Sequence, residues 1–455
     1  MSKTSNKQID MLNGPLIKKI ILFALPVAAS SILQQLFNSA DVAVVGRYAG
    51  SHALAAVGGN TSVTTLLINL FVGLSIGANV VIANYIGQQN AHRTHDVVQT
   101  VMLLSVISGV ILLVVGIAIA NPILELMNTP TNVIDLAAIY LRIYFLGMPF
   151  LMVYNFGAAI LRSIGDTKRP LYCLIVSGVI NVLLNLLFVI VFKMSVAGVA
   201  IATVIADFVS GVLIVYFLVK EKGIIHLDLH NMRIRKEYLI KVIKIGAPAG
   251  IQGMVFSLSN VVIQTSINGF GAAAVAGSAA AVNFEFFTYF VTNAFSQACV
   301  TFTSQNFGAK KYDRCKKIFN ICIVGGIVGT LCMIGSFITF KEFFLTIYTN
   351  DPKVIPYGLD RMMLVEMFAF LPVLYEVSSS ALRGIGYSTT PALITIFGTC
   401  LMRIVYVYTI FQFNPTWSTL LLVYPVSWVI TTVLVGGTYL YIRKKVFSNL
   451  QVETI

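Results

Sequence analysis

Twelve mostly apolar stretches of 20 or more residues run through this chain of 455, at about 20–44, 53–83, 96–120, 133–160, 171–192, 196–219, 245–267, 273–303, 318–340, 356–381, 391–412 and 419–442. A helix needs about 20 apolar residues to cross the hydrocarbon core of a bilayer. The stretches lack the short apolar–polar alternation of a membrane barrel, so they read as helices. Several exceed the minimum and are expected to tilt or to run past the membrane surface. Composition agrees. Only 11% of the residues are charged and 57% are hydrophobic, against about 25% charged in a soluble domain. The predicted class is an all-α integral membrane protein with twelve transmembrane helices.

The net charge of +13 could suggest a nucleic-acid partner, but the placement of the cations excludes it. With the N-terminus inside, 24 Lys and Arg fall in inner segments and four in outer loops, namely Arg47, Lys193, Lys341 and Lys353. The remaining three, Arg142, Arg361 and Arg403, lie in or at the edge of spans. Such a bias is the positive-inside rule and predicts a multi-pass plasma-membrane protein with both termini cytoplasmic. The basic lead-in to residue 19 runs straight into a full-length span and does not read as a cleavable signal. None of the six cysteines is expected in an outer loop and no CxxC occurs, which argues against a disulfide framework or a zinc site.

The chain repeats itself. Pro26-Val27-Ala28 recurs as Pro248-Ala249-Gly250, Gly87-Gln88-Gln89 as Gly308-Ala309-Lys310, and Leu161-Arg162-Ser163-Ile164-Gly165 as Leu382-Arg383-Gly384-Ile385-Gly386. The offset is 222 residues in the first pair and 221 in the other two. Each unit holds six spans, an even number, so both insert with the same orientation. The expectation is two parallel six-helix bundles related by a pseudo-two-fold axis along the membrane normal, a plan that suits alternating access. The expected domains are an N-terminal lobe over 1–219, a cytoplasmic linker over 220–244 and a C-terminal lobe over 245–455.

Polar residues inside the spans carry the functional argument, because an ionisable group there costs a few kcal/mol and usually faces a protein interior or a watery cavity. Ser30, Gln34, Asn38 and Asp41 return to one face of the first span. Ser177, Asn181 and Asn185 do the same in span five, where interhelical hydrogen bonding is the alternative to a site. Asp207 in span six has no polar stripe around it. Ser257, Asn260, Gln264 and Asn268 form a stripe on span seven, with Asn260 in the repeat position of Asn38 and Ile263 in that of Asp41. The second half has its own acids, Glu285, Glu366 and Glu376, and Arg403 is a candidate partner for one of the latter two. The aromatic run from Phe284 to Phe290 includes Phe287 and Tyr289, which either accept a cation on their faces or pack against helices and lipid.

Several chemistries are disfavoured. No GxxxxGK[ST] phosphate loop is present, so uphill transport would need an ion gradient. Gly73-Leu74-Ser75-Ile76-Gly77 matches the hydrolase GxSxG pattern but lies in a span, where small residues let helices approach. His226 and His230, with Asp228 between them, lack the further ligands of a metal motif, and His92 and His95 read as solvated loop residues. No catalytic residue, resident metal or cofactor is expected. Asp41 suits a coupling ion, and amide oxygens from Asn38, Asn181 or Asn185 can complete a hard-oxygen site for sodium.

The pattern resembles the multidrug and toxic compound extrusion (MATE) family over nearly the whole chain, and most resembles its subgroup from low-GC Gram-positive bacteria. The matching residues are Asn38-Ser39-Ala40-Asp41-Val42-Ala43-Val44-Val45-Gly46, the two Leu-Arg-x-Ile-Gly turns and Thr303-Ser304-Gln305-Asn306-Phe307-Gly308. The resemblance implies a monomeric secondary antiporter that exports bulky, mainly cationic drugs and dyes in exchange for protons or sodium. It implies a coupling-ion role for Asp41, with Gln34, Asn38, Asn181 and Asn185 around it. It makes Glu285, Glu376, Asn260, Gln264, Phe287 and Tyr289 candidates for the substrate. The chain departs from the family where Asn185 stands, since many members carry Asp there, and in span seven, where Phe256 lies near the place of an acid. The alternative is a flippase for a lipid-linked substrate, which would want a cationic cavity. A membrane-embedded enzyme is disfavoured, since no histidine lies in a span.

Overall fold

The computed structural model describes residues 8–127, 129 and 131–452. Among these the regular elements are all helical. In the first half they are α1 (Leu16–Tyr48), α2 (Ser51–Gly87), α3 (Ala91–Leu126), α4 (Ile134–Leu146), α5 (Met148–Ser163), α6 (Lys168–Leu186) and α7 (Ser195–Lys220). The second half holds α8 (Lys236–Asn268), α9 (Ala272–Gly308), α10 (Tyr312–Thr339), α11 (Lys341–Thr346), α12 (Ile355–Leu364) and α13 (Leu371–Gly384). It ends with α14 (Thr389–Thr395), α15 (Met402–Tyr408), α16 (Ile410–Phe413), α17 (Trp417–Leu421) and α18 (Val423–Val452).

Ten helices among the described residues are long and apolar enough to cross a membrane, and two bent pairs raise the total to twelve. Those pairs fall on the segments expected as single spans over 133–160 and 356–381. Span four breaks by 47° between α4 and α5, and span ten by 41° between Ile355–Phe368 and α13. Proline explains both positions. Pro149 and Pro372 stand in the first turn of α5 and α13, where a missing N–H is tolerated but the preceding helix cannot run on.

The repeat is written in the backbone as well as in the sequence. Positive φ angles recur 221 residues apart, at Gly50 (89°) and Gly271 (92°), Gln89 (55°) and Lys310 (58°), and Gly165 (83°) and Gly386 (94°). The last pair closes the two Leu-Arg-x-Ile-Gly turns, and left-handed backbone is the reason each ends in glycine.

The chain divides into two compact units. One comprises the residues up to Asp10 together with Ala29–Gly250, and the other comprises Met11–Ala28 together with Ile251–Ile455. The division falls inside α1 and α8, two to three residues after Pro26 and Pro248. A proline there removes a backbone hydrogen bond, so each long helix is weakest near the place where its two parts join different units.

In the first unit α3 lies against the break in span four. A Cβ on Gly109 would stand 2.3 Å from the Pro149 Cα, and one on Gly116 would stand 2.2 Å from the Phe145 ring. Leu141, Phe145, Met148, Met152 and Phe156 are fully buried around that contact. The Gly73 and Gly77 pair packs α2 on the first part of α8: a Cβ on Gly73 would meet the Gly250 nitrogen at 2.2 Å, and one on Gly77 the Val242 carbonyl at 2.4 Å. The Ser75 hydroxyl between them donates to the Val72 carbonyl at 2.7 Å, so the GxSxG match is a helix crossing. Residues 221–235 dock on α3 of the same unit. Arg235 pairs with Asp96 at 3.1 Å, and Gln99 donates to the His226 carbonyl at 3.1 Å. Asp228 spends its oxygens on the His230 N–H and the Asn231 amide, which hold its carboxyl below the usual range. The expected linker ends early, because α8 is helical from Lys236.

In the second unit the core is aromatic. Phe284 on α9 contacts Phe337, Phe344 and Tyr348 with ring centroids 5.1–5.6 Å apart. Trp417 meets Phe270 and Tyr357 edge-on at 5.4 and 5.3 Å.

Candidate functional site

In the first unit, glycine sets the approach of α1 to α6. A Cβ on Gly178 would stand 1.8 Å from the Phe37 ring, so a larger residue there would displace that ring. Asp41 lies about one turn beyond Phe37 and Asn185 about two turns beyond Gly178, which brings the carboxylate and the amide together. The Asn185 side-chain N–H donates to the Asp41 carboxylate. The same Nδ2 lies 3.3 Å from Asn181 Oδ1, and Asn181 Nδ2 donates to Thr203 Oγ1 on α7 at 3.4 Å. The Thr203 hydroxyl itself donates to the Val199 carbonyl at 3.0 Å. Asn185 is fully buried, and its Oδ1 has no hydrogen-bond partner. A buried amide oxygen left unpaired is a ready ligand for a cation. Immediately after Asn185 the helix loosens into a π segment, Leu187–Val191, a form of backbone common at functional sites.

The structure thus joins Asp41, Asn181 and Asn185 and adds Thr203. Gln34 and Asn38 are exposed on α1. Asp207, one turn beyond Thr203 on α7, does have polar surroundings, contrary to its lone appearance in the sequence. Its Oδ2 lies over Gly147 at the break of span four, 3.2 Å from where a Cβ would stand. It is within electrostatic range of Asp41, and the Tyr140 and Tyr144 hydroxyls feel both carboxylates. Those two rings stack with centroids 5.8 Å apart. Among the described residues no Lys or Arg pairs with Asp41 or Asp207. Arg142 is exposed and reaches Asn121 at 3.3 Å, Arg162 donates to the Ala158 carbonyl, and Arg169 pairs with Asp166 and Glu221.

The second unit presents the opposite balance. Glu285 on α9 is held by both arms of Arg361, at 2.6 and 2.9 Å, and the third guanidinium nitrogen donates to Ser278 at 2.8 Å. The Arg361 plane lies 5.0 Å from the Tyr424 ring. Arg403 does not pair with Glu366 or Glu376, as the sequence had allowed. It donates to Asn260 Oδ1 at 2.9 Å and Ser427 at 3.1 Å, between the rings of Phe256 and Tyr424. Ser427 and the two aromatic faces offer a buried guanidinium what a distant glutamate could not. Glu366 is fully buried and accepts from the Thr288 hydroxyl, while its other oxygen has no partner. Glu376 is half-buried, within electrostatic range of Tyr289 and Arg383.

The other substrate candidates scatter. Gln264 is exposed and donates to Asn268 at 2.9 Å, and Tyr289 is 43% exposed. Phe287 is half-buried and meets Phe290 edge-on at 6.2 Å. Sequence reasoning missed Thr203, the Glu285–Arg361 clamp and the Thr288–Glu366 contact. Only the four-residue spacing from Thr203 to Asp207 was visible in the chain.

A six-span pattern repeated at 222 residues, with this polar cluster, meets a family model described as MatE at residues 26–187 and again at 248–409. The chain belongs to the MatE family. The two matches begin on Pro26 and Pro248, so the family model falls on both copies of the internal repeat. Among its relatives is the probable multidrug resistance protein YoeA of Bacillus subtilis (strain 168), 29% identical over 444 residues and covering 94% of both chains. The multidrug export protein MepA of Staphylococcus saprophyticus is 23% identical over 374 residues, 82% of this chain and 80% of that one. An outward-facing structure of a multidrug-resistance MATE-family transporter superimposes with a TM-score of 0.91 at 21% identity, over 99% of this chain and 100% of that one. A MATE structure in the bent conformation gives 0.89 at 21% identity over 99% of each. These likenesses establish the twelve-helix MATE fold. The protein is a multi-pass membrane transporter of the MatE family, of the kind found in low-GC Gram-positive bacteria, and not an enzyme.

Proposed function

We propose that this protein is a secondary antiporter that exports bulky organic cations in exchange for a coupling cation, proton or sodium, bound at Asp41. The observation that carries the reading is the Asp41–Asn185–Asn181–Thr203 chain with its unpaired, buried Asn185 Oδ1. A carboxylate, two amide oxygens and a hydroxyl are hard-oxygen donors suited to sodium, and the carboxylate alone suffices for a proton. No fixed cation competes for Asp41 among the described residues, so a mobile one can. MatE relatives named for multidrug resistance or export support drugs as the cargo.

The reading assigns Glu285 a different part from the one its sequence position suggested. Matched by Arg361, it offers a cationic substrate little net charge. Glu376 and Tyr289 remain the acid and the aromatic in the second unit with which a cation can engage. The lipid-linked alternative would need a cationic cavity. Arg142 is exposed and Arg361 is matched by Glu285. Arg403, buried without an acid partner among the described residues and held by Ser427, Asn260 and two rings, is the observation that favours it.

The test is ethidium movement in everted vesicles under an imposed proton gradient or, separately, a sodium gradient. Wild type should move the dye under one of them and Asp41→Asn should not. Asp41→Asn working at the wild-type rate would remove Asp41 from the mechanism. Folded wild type inert under both gradients would remove the antiport reading.

A further inference from the structure

We propose that Asp207 is a second cation-binding carboxylate alongside Asp41, so that the first unit loads two monovalent cations. This rests on the antiport reading and deepens it. The geometry starts from α7. Thr203 closes the hydrogen-bonded chain from Asp41, and Asp207 follows it by four residues, on the same face of the helix. Its carboxylate lies over Gly147 at the break in span four, where a side chain would crowd it. The stacked rings of Tyr140 and Tyr144, one turn apart on α4, complete the surroundings shared by the two acids.

Charge balance supplies the reason for two cations. Asp41 accepts one amide N–H, and among the described residues no hydrogen bond or ion pair reaches the Asp207 side chain. Two carboxylates in one apolar bundle repel each other and lose hydration. Without a fixed counter-charge, each requires a mobile one. Asn185, whose amide N–H contacts Asp41, is fully buried and its Oδ1 is a hard-oxygen donor with no partner of its own. In the second unit Arg361 matches Glu285, while among the described residues the fully buried Glu366 has only the Thr288 hydroxyl. A structural alternative exists for Asp207. The carboxylate could simply favour the N-terminus of α5, whose first residue follows Gly147. Asparagine would serve that role nearly as well, and glutamate would restore a charge-based one.

Loading two cations against one monovalent substrate moves one net charge per cycle, whereas loading one moves none. A membrane potential alone, at about 100 mV, then shifts the steady-state substrate ratio about 50-fold per net charge. The experiment uses purified, reconstituted protein with ethidium as the monovalent substrate. No coupling-ion gradient is present, and a potassium diffusion potential is set with valinomycin; protein-free vesicles give the passive baseline. Wild type should accumulate ethidium in response to potential. Asp207→Asn, whatever its absolute rate, should lose that response, and Asp207→Glu should recover it. A response in Asp207→Asn equal to wild type overturns the proposal, as does a wild type that exchanges under a chemical gradient yet ignores potential. That last result leaves the antiport reading standing, whereas no exchange under any gradient removes both. If Asp207→Asn does not fold, the wild-type measurement alone still decides whether two cations move.

Discussion

At the scale of single residues, what matters is whether a buried charge has a fixed partner. Asp41 has one amide donor, while Glu285 has a bidentate guanidinium that is itself 3% exposed. Removing one side of such a pair strands the other. Arg361→Ala should therefore cost about 3–5 kcal/mol and lower the unfolding midpoint of the detergent-purified protein by several degrees. The double variant Arg361→Ala with Glu285→Gln should recover much of that loss. A single variant that melts like wild type would show that the clamp contributes nothing to stability. The spacing of polar residues exposed the Asp41 and Asn185 faces in the sequence, because a helix converts spacing into direction. It could not pair Arg361 with Glu285, which are 76 residues apart in the chain and on different helices. It paired Arg403 with the wrong chemistry, because the preference for Ser427, Asn260 and two aromatic faces over an acid depends on which side chains share a pocket.

At the scale of elements, glycine and proline decide where helices touch and where they stop. The two repeated turns give a controlled comparison. Gly165 and Gly386 both hold positive φ, but a Cβ on Gly165 would meet the Ile9 carbonyl at 2.7 Å, and one on Gly386 would meet nothing within 4 Å. Gly386→Ala should cost only the left-handed backbone, about 1–2 kcal/mol. Gly165→Ala should cost more, as a lower melting midpoint. Equal effects would mean that the Ile9 contact yields freely. The α2–α8 crossing is tighter still. Gly73→Val forces side-chain atoms into the Gly250 backbone, and the variant should lose most of its folded yield, read as monodisperse protein on size exclusion. Span positions were legible from hydropathy, although α8 begins at Lys236, well before the stretch expected from 245. The breaks in spans four and ten were not, although Pro149 and Pro372 marked the places. Membrane helices tolerate proline in several ways, and Pro26 and Pro248 lie inside unbroken helices.

At the scale of the whole molecule, the positive-inside bias makes a prediction about topology. In a background without native cysteines, Lys353→Cys should react with a membrane-impermeant maleimide added to intact cells, and Lys222→Cys should react only after the membrane is opened. The reverse pattern would invert the orientation. The sequence by itself determined the class, the number of spans and the repeat. Hydropathy, charge bias and internal similarity are sums or periodicities along the chain, and a bilayer reads them without regard to tertiary contacts. It also singled out Asp41, since a carboxylate in a span is conspicuous wherever the helix goes. Tertiary structure alone decided which carboxylates stay unmatched. Asp41 and Asp207 face amide, hydroxyl and aromatic groups, while Glu285 faces an arginine. Helices distant in sequence bring those neighbours, and electrostatic compensation depends on separation in space.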